Sequence, residues 1–363
     1  MKKILICANT LCVGGIEKSL INLLNKLDYS KFQVDLLLEE KTGELLSSVP
    51  KNVNIIEYKV YNLKNKLLQK TLNYINRIKW SLNNKNKYDT SICFATYSYA
   101  ANKISRISSK NKILCIHSDY TRIYNEKDLK LFFDTRNLDE FNKIIFVSNE
   151  AKDNLIKYYP NIEDKSLVIN NIINTEEINK LSKESRVEIF NKENTNLLFV
   201  GRLEEESKNI STQLKLINDI KEVLPNIKLY IIGDGPNKKD YIKFIKDNNL
   251  ENYIELLGQK LNPYPYIKNA DYILLTSNYE GYPVIFNEAL VLKTDVLSTI
   301  KISDEYTLIG ENFGYLLSNN YEETLKELLN ILKTKKHKKI NIDIEEINKK
   351  RIEKIEELLN GKA

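Results

Sequence analysis

The sequence predicts an α/β protein with two successive domains, each built on a parallel β-sheet with helices on both faces. The length of 363 residues is too great for one common core and suits two domains of ordinary size. Short apolar strand patterns alternate with helical patterns, which is typical of parallel sheets. This alternation gives way to a polar stretch near residues 168–185 and then restarts. A chain of this kind can hold a cleft between its domains.

The strand and helix patterns follow one another in order. The first half contains the strand patterns "KILICAN", "FQVDLLL", "TSICFA", "KILCIH" and "KIIFVS", with the helical pattern "IEKSLINLLNKL" after the first of them. The second half contains "NLLFVGRL", "IKLYIIGDG", "YIELLG" and "ADYILLTS". We therefore assign residues 1–172 to a first domain and 173–340 to a second. The amphipathic "IEEINKKRIEKIEELL" predicts a C-terminal helix within 341–363; its pattern does not assign it to either domain, and packing back on the first is one arrangement open to it.

Composition indicates a globular protein, with 42% hydrophobic and 29% charged residues. The opening "MKKILICANTLC" predicts a strand rather than a signal peptide, because its apolar run is short and contains Asn9. No apolar run approaches the ~20 residues that span a bilayer. We expect a soluble, cytoplasmic protein.

Cysteine and histidine are scarce. The four cysteines lie in apolar contexts without paired metal spacing, so we expect reduced thiols in the core: Cys7, Cys12, Cys93 and Cys115. Two histidines, His117 and His337, are too few for a histidine-rich metal site.

A basic segment spans residues 59–87. It carries eight Lys or Arg residues and no acidic residue, with apolar residues at near-helical spacing and Tyr74 and Trp80 as candidate interfacial aromatics. Such a helix could lie on an anionic membrane surface, or it could be a domain helix with a solvated basic face. The net charge of +6 supports only weak attraction to polyanions, and no nucleic-acid-binding motif is present.

Two motifs fall where strands of an open α/β sheet end, the usual place for ligands. In "NTLCVGGIEKSL", Gly14 and Gly15 separate a strand from a helix, which suits either a plain turn or close approach of a ligand to the backbone. The three-glycine dinucleotide spacing is missing, which argues against an NAD enzyme. In "FVGRLEEESKN", Arg202 and Lys208 could clamp a diphosphate, or form exposed ion pairs with the adjacent glutamates.

Two further motifs have the same placement. "IIGDGP" predicts a tight turn, and its glycines Gly233 and Gly235 could also leave room for a base or ribose. In "TSNYEGYPVIFNEAL", Glu280 is expected in a loop and Glu288 about two turns into the following helix. Carboxylates bind paired sugar hydroxyls well, although two glutamates at this spacing also arise by chance.

Taken together, these motifs resemble the family 4 glycosyltransferases in order and approximate spacing over nearly the whole chain. That family has the GT-B fold, in which two Rossmann-like domains face a central cleft and the second holds most of the donor nucleotide. The resemblance implies that Arg202 and Lys208 bind the diphosphate, that Glu288 binds the ribose and that Glu280 contacts the transferred sugar. It also implies that His117 in "KILCIHSDY" faces the reacting sugar, although a lone histidine at a strand end could equally be structural. The other implied donor-binding residues are Gly14, Gly15, Gly201, Gly233, Gly258, Gly281, Tyr282 and Val284.

The sequence departs from the family pattern at two places. Lys293, Thr294 and Asp295 stand where the family commonly has Gly followed by Pro-Val, and Ile172 stands where a proline is frequent. These departures affect the local turns, while the motifs that face ligands are retained.

The resemblance implies a retaining hexosyl- or N-acetylhexosaminyltransferase that needs no metal or other cofactor. Its donor would be a nucleotide sugar, UDP by default and GDP as the alternative. Its acceptor would be a saccharide, lipid-linked if the basic segment touches membrane, in the synthesis of a capsule or another surface glycan. Two other hypotheses are a nucleotide-sugar epimerase and a noncatalytic GT-B subunit that supports a partner enzyme. We expect no nucleic-acid partner.

Overall fold

The computed structural model describes residues 1–184, 187–280, 282–301, 309, 311, 313–335, 337 and 342–361. The chain forms two compact units, Met1–Ile172 with Glu346–Ala363 and Ile173–Glu345. None of the helices in the described ranges has both the length and the apolar character needed to cross a membrane.

The first unit is built on a seven-stranded parallel sheet in the order β3-β2-β1-β4-β5-β6-β7. Short 3-10 turns occur at Glu44–Ser48, Leu138–Glu140 and Pro160–Lys165. Its strands are β1 (Lys2–Ala8), β2 (Phe32–Leu38), β3 (Val53–Glu57), β4 (Tyr88–Cys93), β5 (Ser109–Ile116), β6 (Lys143–Phe146) and β7 (Ser166–Val168). The helices between them are α1 (Gly15–Lys26), α2 (Lys66–Asn84), α3 (Tyr99–Ser108), α4 (Tyr120–Ile123), α5 (Glu126–Arg136) and α6 (Asn149–Ile156).

The strand β1 shows why this sheet is covered on both faces. Its alternate side chains point to opposite sides, as in any strand. Ile4 and Ile6 belong to one buried cluster, which includes the apolar side of α1. Leu5 and Cys7 belong to the other, which includes residues of α3 and α5. A strand with two buried faces needs a continuous apolar run, which "KILICA" supplies.

The second unit holds a parallel sheet whose described strands follow the order β10-β9-β8-β11-β12-β13. The strands are β8 (Thr195–Val200), β9 (Ile227–Ile232), β10 (Ile254–Gly258), β11 (Tyr272–Leu275), β12 (Asp295–Ser298) and β13 (Tyr315–Leu316). The helices are α7 (Thr175–Leu181), α8 (Glu205–Lys208), α9 (Ile210–Ile220), α10 (Lys238–Asp247), α11 (Tyr264–Asn269), α12 (Val284–Leu292) and α13 (Tyr321–Thr334). Both sheets are thus parallel and covered by helices, as the sequence predicts.

The C-terminal helix α14 (Ile344–Leu359) packs on the first sheet. Its residues Ile355, Leu358 and Leu359 join the buried cluster that contains Ile4 and Ile6. The hydroxyl of Thr90 on β4 donates to the carbonyl of Leu359 over 2.9 Å. The last helix of the chain therefore completes the core of the first unit.

The prediction that all four cysteines are core thiols is wrong for Cys12. Cys7, Cys93 and Cys115 lie on strands and are buried, whereas Cys12 is exposed. Cys12 falls beyond the end of β1, in the loop that leads to α1, and connecting loops run over the surface.

Candidate functional site

In the second sheet, β9 and β10 lie on one side of β8, and β11, β12 and β13 lie on the other. The order of strand connection therefore reverses between β8 and β11, and we call this place the reversal point. In an open parallel sheet, a crevice forms beyond the carboxyl ends of the strands at such a point, and ligands bind there. Arg202 and the short helix α8 follow β8, and residues 276–280 follow β11. The motifs "FVGRLEEESKN" and "TSNYEG" therefore come from neighbouring strand ends.

Lys208 and Glu280 form an ion pair across this point. Their side chains are only 22% and 13% exposed, respectively. The hydroxyl of Ser277 also donates to the same carboxylate oxygen over 2.9 Å. The structure thus joins two residues that the resemblance assigns to separate contacts, one with the diphosphate and one with the sugar.

The backbone around this pair is fixed by further hydrogen bonds between the two segments. The side-chain amide of Asn278 donates to the carbonyl of Glu206, and its backbone N–H donates to the carbonyl of Ser207, both over 2.9 Å. The hydroxyl of Thr276 donates to the carbonyl of Asn209 over 2.9 Å. The loop that carries Glu280 is therefore attached to the turn that carries Lys208, which preorganises both charges.

Arg202 has a different environment from Lys208. Its side chain is 67% exposed, and its guanidinium lies 3.5 Å from a carboxylate oxygen of Glu204. An exposed pair at this distance contributes little to stability, because water screens it. The sequence allowed Arg202 and Lys208 to form exposed ion pairs with the adjacent glutamates. Arg202 forms such a weak pair with Glu204, whereas Lys208 pairs with Glu280 instead.

Glu288 is the fifth residue of α12 and is buried. It lies little more than one turn into the helix, so the prediction of about two turns is wrong, because α12 begins only at Val284. The Glu288 carboxylate is hydrogen-bonded to the Tyr264 hydroxyl. Burial, followed by the negative charge of Glu288, raises the pKa of the Tyr264 phenol, so the phenol remains a donor to this carboxylate.

The start of α12 carries the other predicted donor-binding residues of this segment. Pro283 occupies the position before the helix and supplies no side-chain cap, and Val284 is the first helical residue. The Tyr282 side chain is buried, and its hydroxyl donates to Asn287 over 3.0 Å. Gly281 lies outside the described residues. An early helical turn without a side-chain cap is suited to an anionic ligand.

Two glycines of this unit, Gly233 and Gly258, differ in what surrounds them. Gly233 has φ +150°, and a Cβ there would lie 1.8 Å from the carbonyl oxygen of Gly201. Its place in a tight turn against Gly201 is thus sufficient to require glycine. Gly258 has φ +69°, and a Cβ there would meet nothing within 4 Å among the described residues. Open space beside Gly258 is what the predicted approach of a base requires.

In the first unit, Gly14 and Gly15 lie where the order of strand connection reverses between β1 and β4. Gly14 is extended and precedes α1, which Gly15 begins. Beside them, Glu17 accepts a hydrogen bond from the Tyr97 hydroxyl over 3.1 Å. Burial raises the pKa of the Glu17 carboxyl. The glycine loop therefore occupies the ligand-binding edge of its own sheet.

His117 follows β5 and packs against the Phe94 ring, with centroids 4.4 Å apart. The imidazole is hydrogen-bonded to the backbone of Phe94. Its Nε2 is shielded from solvent and meets no hydrogen-bond partner among the residues that the structure describes. Burial lowers the pKa of His117 to about 4. The ring is therefore neutral near pH 7, and one buried ring nitrogen remains to be satisfied.

We expect His117 to stay neutral throughout pH 5.5–8, because its pKa in the folded protein is about 4. NMR titration of the two histidine rings, assigned with His117→Asn, would show no inflection for His117 near the usual value of about 6.5. Since the folded-state pKa is lowered, the unfolded chain binds a proton first, and acidification from about pH 6.5 towards 4 destabilises the fold. A ring that titrates above pH 6 would contradict this.

In the described part of the chain, no group of three or more His, Cys, Asp or Glu side chains is placed to hold a metal ion. The charged groups at the second sheet's reversal point include those of Arg202, Glu204, Lys208 and Glu280.

Models of two protein families match the chain. "Glycosyltransferase Family 4" matches residues 13–177, and "Glycosyl transferases group 1" matches residues 182–351. The chain belongs to the family 4 glycosyltransferases. The boundary between the two matched segments falls near the division of the structure into its two units.

This family 4 chain is similar to two curated glycosyltransferases. It is 29% identical over 208 residues to the capsular polysaccharide biosynthesis glycosyltransferase CapH of Staphylococcus aureus, covering 55% of this chain and 54% of CapH. It is 31% identical over 130 residues to the N-acetylgalactosamine-N,N'-diacetylbacillosaminyl-diphospho-undecaprenol 4-alpha-N-acetylgalactosaminyltransferase of Campylobacter jejuni, covering 36% and 34% of the two chains. The chain thus spans about half of the length of these curated relatives, or less.

Among solved structures, the fold is similar to that of HepE from Anabaena, crystallised with UDP and glucose. The TM-score is 0.75 at 17% identity, with 98% of this chain and all of HepE covered. At this identity the similarity shows the fold, and it confirms the predicted GT-B class with its two Rossmann-like domains.

The family 4 chain retains a helix-ending turn where its sequence departs from the family pattern. Lys293 ends α12 in the left-handed conformation, with φ +59° and ψ +35°. The hydroxyl of Thr294 donates to the carbonyl of Ile267 over 2.8 Å, and Ile172 is buried. The turn that the family commonly makes with glycine is thus made here with lysine.

Replacing Lys293 with glycine should stabilise the protein. In this left-handed position a residue with a Cβ is destabilised by about 1 kcal/mol, and glycine removes part of that cost. We expect the free energy of unfolding to rise by about 0.5 kcal/mol in urea denaturation. Lys293→Ala, which keeps the Cβ, is the control and should bring no such gain; a gain of equal size would assign the effect to the lost charge.

Two residues of the site escaped prediction from the sequence. The Ser277 hydroxyl donates to the Glu280 carboxylate, and the position of Ser277 directly after a strand in "LLTSNYEG" could have indicated a site residue. Tyr264 contacts Glu288 from α11, 24 positions earlier in the chain, and no local pattern indicates that contact.

Proposed function

We propose that the protein is a retaining glycosyltransferase that moves a hexosyl or N-acetylhexosaminyl group from a UDP-sugar to a hydroxyl of a lipid-linked saccharide, in the synthesis of a bacterial surface glycan. The observation that carries this proposal is the Lys208–Glu280 pair at the reversal point of the second sheet. It brings a cation suited to a diphosphate against a carboxylate suited to sugar hydroxyls, in a chain of family 4.

The charges at this site suit the departure of a diphosphate. As the bond between the anomeric carbon and the diphosphate oxygen breaks, its electron pair remains on that oxygen. An ammonium has three N–H donors, so Lys208 can bind Glu280 and still donate to a phosphate oxygen. Arg202, exposed and weakly paired, can add forked hydrogen bonds to the same group. Preorganised cations of this kind lower the barrier electrostatically.

The acceptor hydroxyl would form the new bond on the same face of the sugar, and its proton would pass to the departing phosphate. No carboxylate is assigned as a nucleophile, because Glu280 is engaged by Lys208 and Ser277, and Glu288 by Tyr264. Glu280 would then bind a hydroxyl of the transferred sugar and Glu288 those of the ribose. The neutral ring of His117 would contact the reacting sugar.

Two similarities support the choice of substrates. HepE was crystallised with UDP and glucose on the same fold, which favours UDP as the nucleotide. The Campylobacter jejuni relative is named for a diphospho-undecaprenol acceptor, which favours a lipid-linked saccharide.

The experiment is a transfer assay with a panel of UDP- and GDP-sugars and undecaprenyl-diphosphate-linked saccharides. We expect UDP release that depends on the acceptor, and a product whose anomeric proton coupling in NMR shows retained configuration. An isomerised nucleotide sugar without acceptor would instead assign an epimerase. Binding without turnover under any condition would favour a noncatalytic subunit, and an inverted product would overturn the retaining mechanism.

The same assay tests metal dependence. We expect the rate to be unchanged after dialysis against EDTA, because Arg202 and Lys208 would supply the positive charge that a metal supplies elsewhere. Loss of activity in EDTA that Mg²⁺ or Mn²⁺ restores would contradict this expectation. Wild-type protein dialysed without EDTA is the control.

A further inference from the structure

Helix α2 exposes its apolar side. Six large apolar residues lie within about one third of its circumference at 3.6 residues per turn. All six are exposed, Leu67 and Leu82 by 76% and 80%. They form what we call the exposed stripe: Leu67, Leu68, Tyr74, Ile75, Ile78 and Leu82.

The opposite, polar side of α2 is the one attached to the protein. The side chain of Asn73 accepts from the backbone N–H of Tyr61 over 2.8 Å and donates to its carbonyl over 3.0 Å. Asn76 donates to the carbonyl of Lys59 over 2.7 Å. An ordinary surface helix buries its apolar side. In α2 the arrangement is reversed, and these hydrogen bonds maintain it.

Trp80 takes part in this attachment. Its indole N–H donates to the Ser108 hydroxyl over 2.9 Å, and its ring meets Tyr58 edge-on at 5.8 Å. The prediction of Trp80 as an interfacial aromatic is therefore wrong, because the indole packs and hydrogen-bonds within the first unit. Tyr74, at 55% exposure, remains available on the exposed stripe.

The exposed stripe is bordered by positive charge. No acidic residue occurs between Glu57 and Asp89. At helical spacing, Lys79 lies along one border of the stripe, and Lys66, Lys70 and Arg77 lie along the other. Apolar residues flanked by basic ones match the boundary between acyl chains and anionic headgroups. A second copy of the chain would instead bring two basic surfaces together, which repel.

We propose that α2 docks the first unit on an anionic lipid bilayer, lying parallel to the surface with the exposed stripe inserted among the headgroups. Leu67, Ile78 and Leu82 enter the acyl boundary, and the bordering lysines bind lipid phosphates. This docking does not depend on sugar transfer, so lipid binding and transferase activity can fail separately.

The test is sedimentation of the full chain with sucrose-loaded vesicles of phosphatidylglycerol and phosphatidylcholine, against vesicles of phosphatidylcholine alone. We expect binding to the anionic vesicles that weakens with added salt, since surface charge is screened. The variant Leu67→Gln/Ile78→Gln/Leu82→Gln keeps every charge and should bind at least about tenfold more weakly. The variant Lys66→Gln/Lys70→Gln/Lys79→Gln keeps the exposed stripe, and its binding to the anionic vesicles should weaken by about the same factor.

The matched control is Leu131→Gln/Leu261→Gln, which removes two exposed leucines elsewhere, 64% and 71% exposed. It should bind vesicles like the wild type. Circular dichroism would show that each variant is folded. Equal binding of the stripe variant and the wild type would overturn the proposal, as would absence of binding to anionic vesicles. Self-association in sedimentation velocity that the stripe variant abolishes, without lipid binding, would assign the stripe to a second copy instead.

Discussion

Replacing Lys208 with methionine is expected to reduce kcat for sugar transfer by about 10²–10³-fold, the effect of removing one preorganised group that stabilises transition-state charge. Methionine keeps most of the aliphatic length and removes only the ammonium. The loss should appear mainly in kcat, because negative charge on the diphosphate increases as its bond to the sugar breaks. Steady-state release of UDP, measured over a range of donor concentrations, separates kcat from KM.

The control for this variant is Lys243→Met, which removes an exposed lysine from α10 in the same unit. Lys208→Met also leaves the Glu280 carboxylate without its cation, so thermal unfolding must be measured beside activity. The double variant Lys208→Met/Glu280→Gln removes that unpaired charge. If it regains stability and still transfers more slowly than Glu280→Gln alone, the ammonium acts on the reaction. A kcat within about threefold of the wild type in Lys208→Met would contradict the proposed role.

Gly233→Ala is expected to lower the free energy of unfolding by about 3 kcal/mol or more. The new Cβ would lie 1.8 Å from the Gly201 carbonyl oxygen, so the backbone must move. The φ of +150° is also disfavoured for any residue with a Cβ. Denaturation by urea, followed by circular dichroism, measures the change.

Gly258→Ala is the matched control, because its φ is also positive but its Cβ would point into open space. Gly258→Ala should lower the free energy of unfolding by only about 1–2 kcal/mol, because the left-handed conformation is unfavourable for alanine. If the proposed base lies there, Gly258→Ala should also weaken UDP binding in calorimetry. Equal destabilisation by the two substitutions would show that the contact with Gly201 relaxes without strain.

Much of the fold could be predicted because parallel strands buried on both faces produce recognisable apolar runs. "KILICAN" and "NLLFVGRL" correspond to β1 and β8, and the motifs that follow them lie at strand ends. The loop position of Glu280 was predictable for the same reason. Cys12 was not, because one short apolar stretch contains both a buried strand and the start of an exposed loop.

The pairing of Lys208 with Glu280 could not be predicted from either motif. The two residues are 72 positions apart, and they meet because β8 and β11 are neighbours in the sheet. Sequence order does not specify that neighbourhood, since β9 and β10 lie between these strands in the chain. The contact of Glu288 with Tyr264 has the same origin in tertiary packing.

By itself, the sequence determined the α/β class, the family and the residue types available at the strand ends, because these depend on local periodicity and short motifs. The tertiary structure decided which charges pair, that α14 returns to the core of the first unit, and which side of α2 is exposed. The physical reason is that amphipathic periodicity shows that a helix has an apolar side. Only hydrogen bonds and packing with distant residues, such as those of Asn73 and Trp80, determine where that side points.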